Sequence, residues 1–214
     1  MTKRRIVVTG VGIVSPIGIG KAAFLDSLRL GRSGIRRVSC FDPSSFPTKV
    51  AGEVSDFDPL KFLEPKKDAE LIDLYCGVGL FSICFAEQYQ KVIGIEEGNE
   101  AVLWAKKNAE GNGVSNSKFI EGKAENILPT LPLDATKHHV VIDPPRVGMK
   151  KEVVDALLRM PNIERLVYVS CNPGTLIRDL QLLSPRFVIQ KVQPVDMFPQ
   201  TKHLEAIVLL TPIA

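Results

Sequence analysis

Cys171 is the first residue whose type and setting suggest chemistry. It lies in the run Ser170-Cys171-Asn172-Pro173. Pro173 suits the first position of a helix, with Asn172 as its cap. A thiol there faces the positive end of the helix dipole, a setting that favours the nucleophilic thiolate. The competing reading is a buried structural cysteine, a small and inert apolar side chain. Glu205 follows 34 residues later. It is a carboxylate able to take a proton, or an ordinary solvated residue near a sheet edge. Two more acids join the candidates. Asp143 opens Asp143-Pro144-Pro145-Arg146, where it can also simply cap a loop, and Glu96 closes the run KVIGIE. Gly77 and Gly79, in DLYCGVG, mark a turn where backbone can approach a ligand closely.

The elements that must position these residues alternate between two periods. LIDLY (71–75), KVIGIE (91–96), KFIEG (118–122), HHVVID (138–143) and ERLVYVS (164–170) read as strands. Asn99–Asn112 reads as a helix, with Asn99 as cap and Val102, Ala105 and Ala109 on the inner face. Lys151–Arg159 and Pro173–Leu183 read as further helices. Such alternation predicts an α/β fold with a doubly wound, mostly parallel sheet. FVIQKVQPVDMF (187–198) and HLEAIVLL (203–210) are separated by four residues, too few for a parallel crossover. The last strand is therefore expected to run antiparallel. Ligands of open α/β sheets bind beyond the carboxyl ends of the strands. There the glycine turn, Glu96, Asp143 and Cys171 converge, and the reversed last strand brings Glu205 to the same rim. Glu96 suits ribose hydroxyls. Ser82 stands where a dinucleotide fingerprint needs its third glycine, which turns the reading away from NAD.

Residues 1–62 are built differently. RRIVVT (4–9) reads as a strand and GVGIVSPIG (10–18) as a turn. Lys21–Arg29 reads as a helix with Ala23, Phe24, Leu28 and Leu30 on one face and Gly31 near its end. Gly10-Val11-Gly12 is followed by Ser15, so no nucleotide fingerprint forms. This segment carries ten Lys/Arg against five Asp/Glu, whereas residues 63–214 carry 17 against 19. That balance is too thin to argue for nucleic acid by itself. The 214 residues are 45% hydrophobic and 24% charged, as in a soluble protein of one or two domains. No apolar run approaches the roughly 18 residues of a membrane helix, and the N-terminus lacks a secretory signal. The four cysteines Cys40, Cys76, Cys84 and Cys171 form no C-x-x-C pair. Neither a disulfide scaffold nor a metal site is expected, and the cytoplasm is the expected compartment. Cys40 reads as a buried or half-buried apolar residue.

DLYCGVGLFS, VIGIEE, WAKKNAEGNG, DPPRVG, VYVSCNPGTLIRDL and VQPVDMFPQTKHLE occur in that order. Together they resemble the RNA uracil-5-methyltransferase family over residues 66–214. The resemblance implies a Rossmann-like class I methyltransferase sheet with an antiparallel last strand. It also implies S-adenosylmethionine as cofactor and a uridine of rRNA or tRNA as target, flipped out or already unpaired; no DNA partner is expected. In that family Tyr75 and the turn Gly77–Gly79 would line the methionine part of the cofactor, and Glu96 would hold the ribose hydroxyls. Asp143 would face the cofactor and target-base region. Cys171 would be the nucleophile and Glu205 the base.

RRIVVTGVGIVSPIG and GRSGIRRVSCFDPSSFPTKVAGEVSDFDP resemble instead the N-terminus of β-ketoacyl-acyl carrier protein synthases. The chain thus reads as a chimera: a short α/β fragment at 1–62 before a catalytic domain at 63–214. Condensing activity is not expected, because nothing here matches that family's cysteine and histidines. Three departures separate residues 66–214 from the methyltransferase family. The family's RNA-binding and central N-terminal regions, with any iron–sulfur cysteines, have no counterpart. Lys123 replaces the acid or amide of a G-D-A-like turn. The net charge offers no phosphate-binding surface of its own. A remnant that keeps only the cofactor pocket, and a fragment related to condensing enzymes, are the alternatives. An amine methyltransferase is disfavoured because Arg146 follows the prolines and Cys171 and Glu205 are left without a task.

Overall fold

The computed structural model describes residues 14–37, 39, 44, 48–52, 66–132, 137–195 and 205–213. The chain divides into two units: residues 1–63 with Gln193–Val195, and residues 64–192 with 196–214.

In the first unit, strands β1 (Val14–Ser15) and β2 (Gly18–Ile19) form a tight antiparallel ribbon, and the Ser15 hydroxyl donates to Gly18 O at 2.9 Å. Helix α1 spans Lys21–Arg29, as its spacing predicts. It ends in a double closure, with Arg32 N donating to Ser27 O and Gly31 N to Leu28 O. Strands β3 (Ile35–Arg37) and β4 (Val50–Gly52) pair antiparallel. Of the apolar face expected on α1, Phe24 is half-buried and the rest is not. Ser27 is the buried residue of the helix, while Ala23, Leu28 and Leu30 are exposed. Among the described residues of this unit, ribbons of two or three residues offer no face broad enough to cover a helix. The strand expected at 4–9, Gly10, Gly12 and Cys40 lie outside the described residues.

In the second unit the expected alternation is present. Its strands are β5 (Lys66–Leu74), β6 (Tyr89–Glu96), β7 (Ser117–Glu121), β8 (Lys137–Ile142), β9 (Ile163–Ser170), β10 (Phe187–Val195) and β11 (Glu205–Pro212). They form one sheet in the order β10-β11-β9-β8-β5-β6-β7. The five strands from β9 to β7 are parallel neighbours, and β11 runs antiparallel to β9. Helices α2 (Leu80–Cys84), α3 (Asn99–Gly111), α4 (Ala124–Ile127), α5 (Lys151–Arg159) and α6 (Pro173–Leu183) connect them. The short α2 and α4 are additions to the expected elements. Asn99 is not the cap of α3. Gly98 takes that position, and the Asn99 amide donates to Glu121 Oε2 at 2.7 Å. The Glu121 carboxylate at the end of β7 draws the side chain sideways, away from the helix's own amides.

Alternation along the strands supplies a core on both faces, as a parallel sheet between helices requires. Ile72, Leu74, Val140, Ile142, Leu166 and Tyr168 pack with Val153, Leu157, Leu176 and Leu183 of α5 and α6. Leu71, Val92 and Val141 face the opposite way, toward Phe81 and Phe85. Cys76, Phe119 and the inner residues of α3, Val102, Ala105 and Ala109, form a further cluster. Among the described residues, no helix is long and apolar enough to cross a membrane.

Candidate active site

The chain runs outward from β5 through β6 to β7, then returns to β8 on the other side of β5. The strand order therefore reverses between β5 and β8, and loops leaving those two strands diverge to open a crevice. Asp143 N donates to Leu74 O at 3.4 Å, so the loop after β8 begins beside the end of β5.

Tyr75 leaves β5 with φ +63°, a left-handed conformation that non-glycine residues rarely adopt and that clusters at functional sites. It is half-buried, and burial with the nearby charges of Glu125, Asp179 and Glu97 pushes its pKa up to about 12. Gly79, at φ +89°, leaves no room for a side chain: a Cβ would stand 3.1 Å from the Phe119 ring. Glu96 closes this side. Its two carboxylate oxygens accept from Gly77 N at 3.1 Å and Gly98 N at 2.8 Å. Beneath the turn, buried Asp73 accepts from both the amide (2.9 Å) and the hydroxyl (2.7 Å) of Ser82. The residue in place of the third glycine thus anchors α2. Burial raises the Asp73 pKa to about 6, offset by the Ser82 bonds and reinforced by Asp143 and Glu96. Its Oδ1 is buried without a hydrogen-bond partner. Sequence reasoning passed over Asp73 as a site residue, although it directly precedes the strand-end turn.

Tyr75, Glu96, Gly122, Ala124, Pro145 and Val147 line a cleft of about 90 Å³. Lys123, Glu125 and Lys150 stand on the same wall. Lys150 Nζ donates to Glu125 Oε1 at 2.6 Å, which holds the Glu125 carboxyl below its ordinary range.

Across the rim, Cys171 follows β9 and is half-buried. Asn172 caps α6 as expected, its side chain accepting from Gly174 N at 3.0 Å, with Pro173 at the first helical position. Strands β9 and β11 pair Ser170 with Ala206. The register ends there, so Cys171 and Glu205 are the next residues of the two segments at the same end of the sheet. Asp143 stands exposed on the rim, yet the surrounding protein and the Glu205 charge raise its pKa. Asp143, Cys171 and Glu205 are thus brought to one edge, and Tyr75, Gly77, Gly79 and Glu96 to the adjoining one. The other thiols differ. Cys76 is buried, and its pKa is driven up by burial and by Asp73 and Glu96; Cys84 is exposed at the far end of α2. The segment 196–204, with Phe198 and His203, lies outside the described residues.

The profile of the tRNA (Uracil-5-)-methyltransferase family matches residues 59–213. The chain belongs to this family. It is 39% identical over 194 residues to an uncharacterized RNA methyltransferase of Clostridium tetani, covering 90% of this chain and 41% of that protein. An uncharacterized RNA methyltransferase of Lactobacillus johnsonii is 42% identical over 158 residues, covering 72% and 33%. The chain therefore spans well under half the length of these curated relatives. The crystal structure of Pyrococcus abyssi tRNA (uracil-54, C5)-methyltransferase in complex with S-adenosyl-L-homocysteine superposes with a TM-score of 0.60. It is 32% identical, covering 71% of this chain and 36% of that one. The expected Rossmann-like methyltransferase sheet is thereby established for the second unit. The profile of the β-ketoacyl synthase N-terminal domain also matches, over residues 3–83, and overlaps the methyltransferase match.

Proposed function

We propose that residues 63–214 are the catalytic domain of an S-adenosylmethionine-dependent RNA methyltransferase that forms 5-methyluridine in rRNA or tRNA. In this reading residues 1–62 are a β-ketoacyl synthase-like fragment joined to it. The observation that carries the reading is the β9–β11 register, whose last pair, Ser170 with Ala206, leaves Cys171 and Glu205 as the next residues at one end of a family-matched sheet.

The strand-end residues suit the cofactor. An orphaned buried oxygen of Asp73 lies under the glycine turn, and Glu96 offers two oxygens now held by backbone amides, as ribose hydroxyls would require. Tyr75, Gly77 and Gly79 would line the methionine part, Glu96 would take the ribose, and Asp143 would face both cofactor and target base. S-adenosylmethionine, when bound, supplies an electrophilic sulfonium methyl group.

The target uridine reaches the rim flipped out or unpaired, because C5 and C6 are covered in stacked RNA. The Cys171 thiolate adds to C6, and the electron pair of the C5–C6 double bond moves into an enolate with nucleophilic C5. Once C5 carries its methyl group, Glu205 takes the C5 proton. The released pair re-forms the double bond, and Cys171 departs as thiolate. RNA containing 5-fluorouridine has no C5 proton to lose and should therefore trap a covalent adduct in the presence of cofactor. An adduct that persists in Cys171→Ala would sink the mechanism.

The charge balance of residues 63–214, 17 Lys/Arg against 19 Asp/Glu, favours a second reading: a remnant that binds cofactor but does not hold RNA productively. Calorimetric S-adenosylhomocysteine binding with no methyl transfer to rRNA or tRNA would select that reading.

A further inference from the structure

The loop that begins at Asp143 is tied to α6 along its whole second half. Arg146 O accepts from Asn172 Nδ2 at 3.1 Å and from Thr175 Oγ1 at 3.2 Å. Arg178 Nη2 donates to Val147 O at 2.9 Å and to Met149 O at 3.2 Å. Met149 N donates to Asp179 Oδ2 at 2.8 Å, and the Tyr168 hydroxyl donates to the same oxygen at 2.6 Å. The other oxygen of Asp179 accepts from Arg178 Nε at 2.8 Å and pairs with Nη2 at 2.7 Å. Asp179 is fully buried. A buried carboxylate is tolerated because a guanidinium and two further donors satisfy it. Gly148 lies between loop and helix at φ +77°, and a Cβ there would stand 2.5 Å from Arg178 Nη2 and 2.6 Å from Asp179 Oδ2. Only glycine fits.

Every helix group in this clasp comes from the first two turns of α6, the helix whose start carries Cys171. We infer that Arg178, Asp179 and Gly148 are positioning residues: they lock the Asp143–Met149 loop to the Cys171 helix. Asp143, the thiol and the exposed loop tip at Arg146–Val147 then meet the target base as one preset surface. This deepens the proposed methyl transfer and rests on it for its catalytic consequence. The clasp itself does not.

The test uses the whole chain with two independent variants. Arg178→Lys keeps the charge but loses the planar fork that serves three acceptors, and Gly148→Ala wedges loop from helix. In each, hydrogen exchange at the Met149 amide should speed about tenfold or more, with amides of β6 unchanged. S-adenosylhomocysteine affinity should fall by less than adduct formation does, because Pro145 and Val147 of the same loop also line the cleft. Adduct formation at saturating 5-fluorouridine RNA should slow by about 10²-fold, the size expected for a small misplacement of reacting groups. Tyr168→Phe, which leaves Asp179 its other donors, should fall between these variants and wild type. Unchanged Met149 exchange in both variants overturns the clasp. Faster exchange with wild-type adduct formation overturns the positioning role. A wild-type chain that traps no adduct overturns the proposed reaction and the positioning role that rests on it. Met149 exchange then still reports whether loop and helix form one body.

Discussion

On the Glu96 side of the rim, carboxylates reach out from strand ends and grip backbone: Glu96 holds Gly77 and Gly98, and Asp73 holds Ser82. On the Cys171 side the direction reverses, and side chains of a helix grip a loop through Arg146, Val147 and Met149. The two arrangements suit different demands. Bonds from Glu96 to glycine amides can be shared with or yielded to a ligand hydroxyl, because small residues move at little steric cost. The α6 clasp has a buried charge at its centre, and a buried charge resists losing any partner. In the proposed reaction binding tolerates adjustment, whereas a thiol and a base acting on adjacent ring atoms would not.

The comparison can be broken at either side. Cys171→Ala should abolish both the 5-fluorouridine adduct and methyl transfer while leaving S-adenosylhomocysteine binding within about threefold, read by gel shift and calorimetry. Glu205→Gln should slow methyl transfer by about 10²–10⁴-fold, the range for loss of a general base. Because the C5 proton then stays, covalent complex should accumulate even on ordinary uridine-containing RNA. Rapid turnover without accumulation would remove Glu205 as the base. Glu96→Ala should weaken S-adenosylhomocysteine by about 1.5–3 kcal/mol, the loss expected when bonds to a charged acceptor disappear. Adduct chemistry at saturating cofactor should remain.

Asp73 gives the smallest effect and the clearest sign. Its folded pKa, about 6, lies above the ordinary 3.8, so the folded chain retains a proton that the unfolded chain gives up. That stabilising contribution is complete below pH 3.8 and lost as pH rises through 6. Urea unfolding of Asp73→Asn beside wild type should therefore show the variant gaining, in relative terms, on the order of 2 kcal/mol between pH 4 and 7. A difference independent of pH would mean that Asp73 is already ionised throughout.

Parts of this site were legible because they depend on neighbours in sequence. Pro173 and Asn172 set the start of α6 by fixed φ and a local cap, and both sit where the sequence puts them. The antiparallel last strand follows from a connection too short to cross the sheet. Other parts depend on groups far apart in the chain. Asn99 has the chemistry of a cap, but Glu121, 22 residues away, takes its amide. Leu28 and Leu30 have helical spacing yet stand exposed, and Ser27 is buried instead. Ser82 reads as a missing glycine, and its bond to Asp73 appears only when strand and helix meet.

The sequence by itself determined the longer strands and helices of the second unit, the sense of the final strand and the family to which the chain belongs. Period, caps, turn lengths and ordered motifs are local quantities. Tertiary structure decided that the β9–β11 pairing ends at Ser170 and Ala206, that Asp73 is buried with a raised pKa, and that Gly148 must be glycine between loop and helix. Register, desolvation and steric exclusion are relations between segments brought together by packing, and no residue carries them alone.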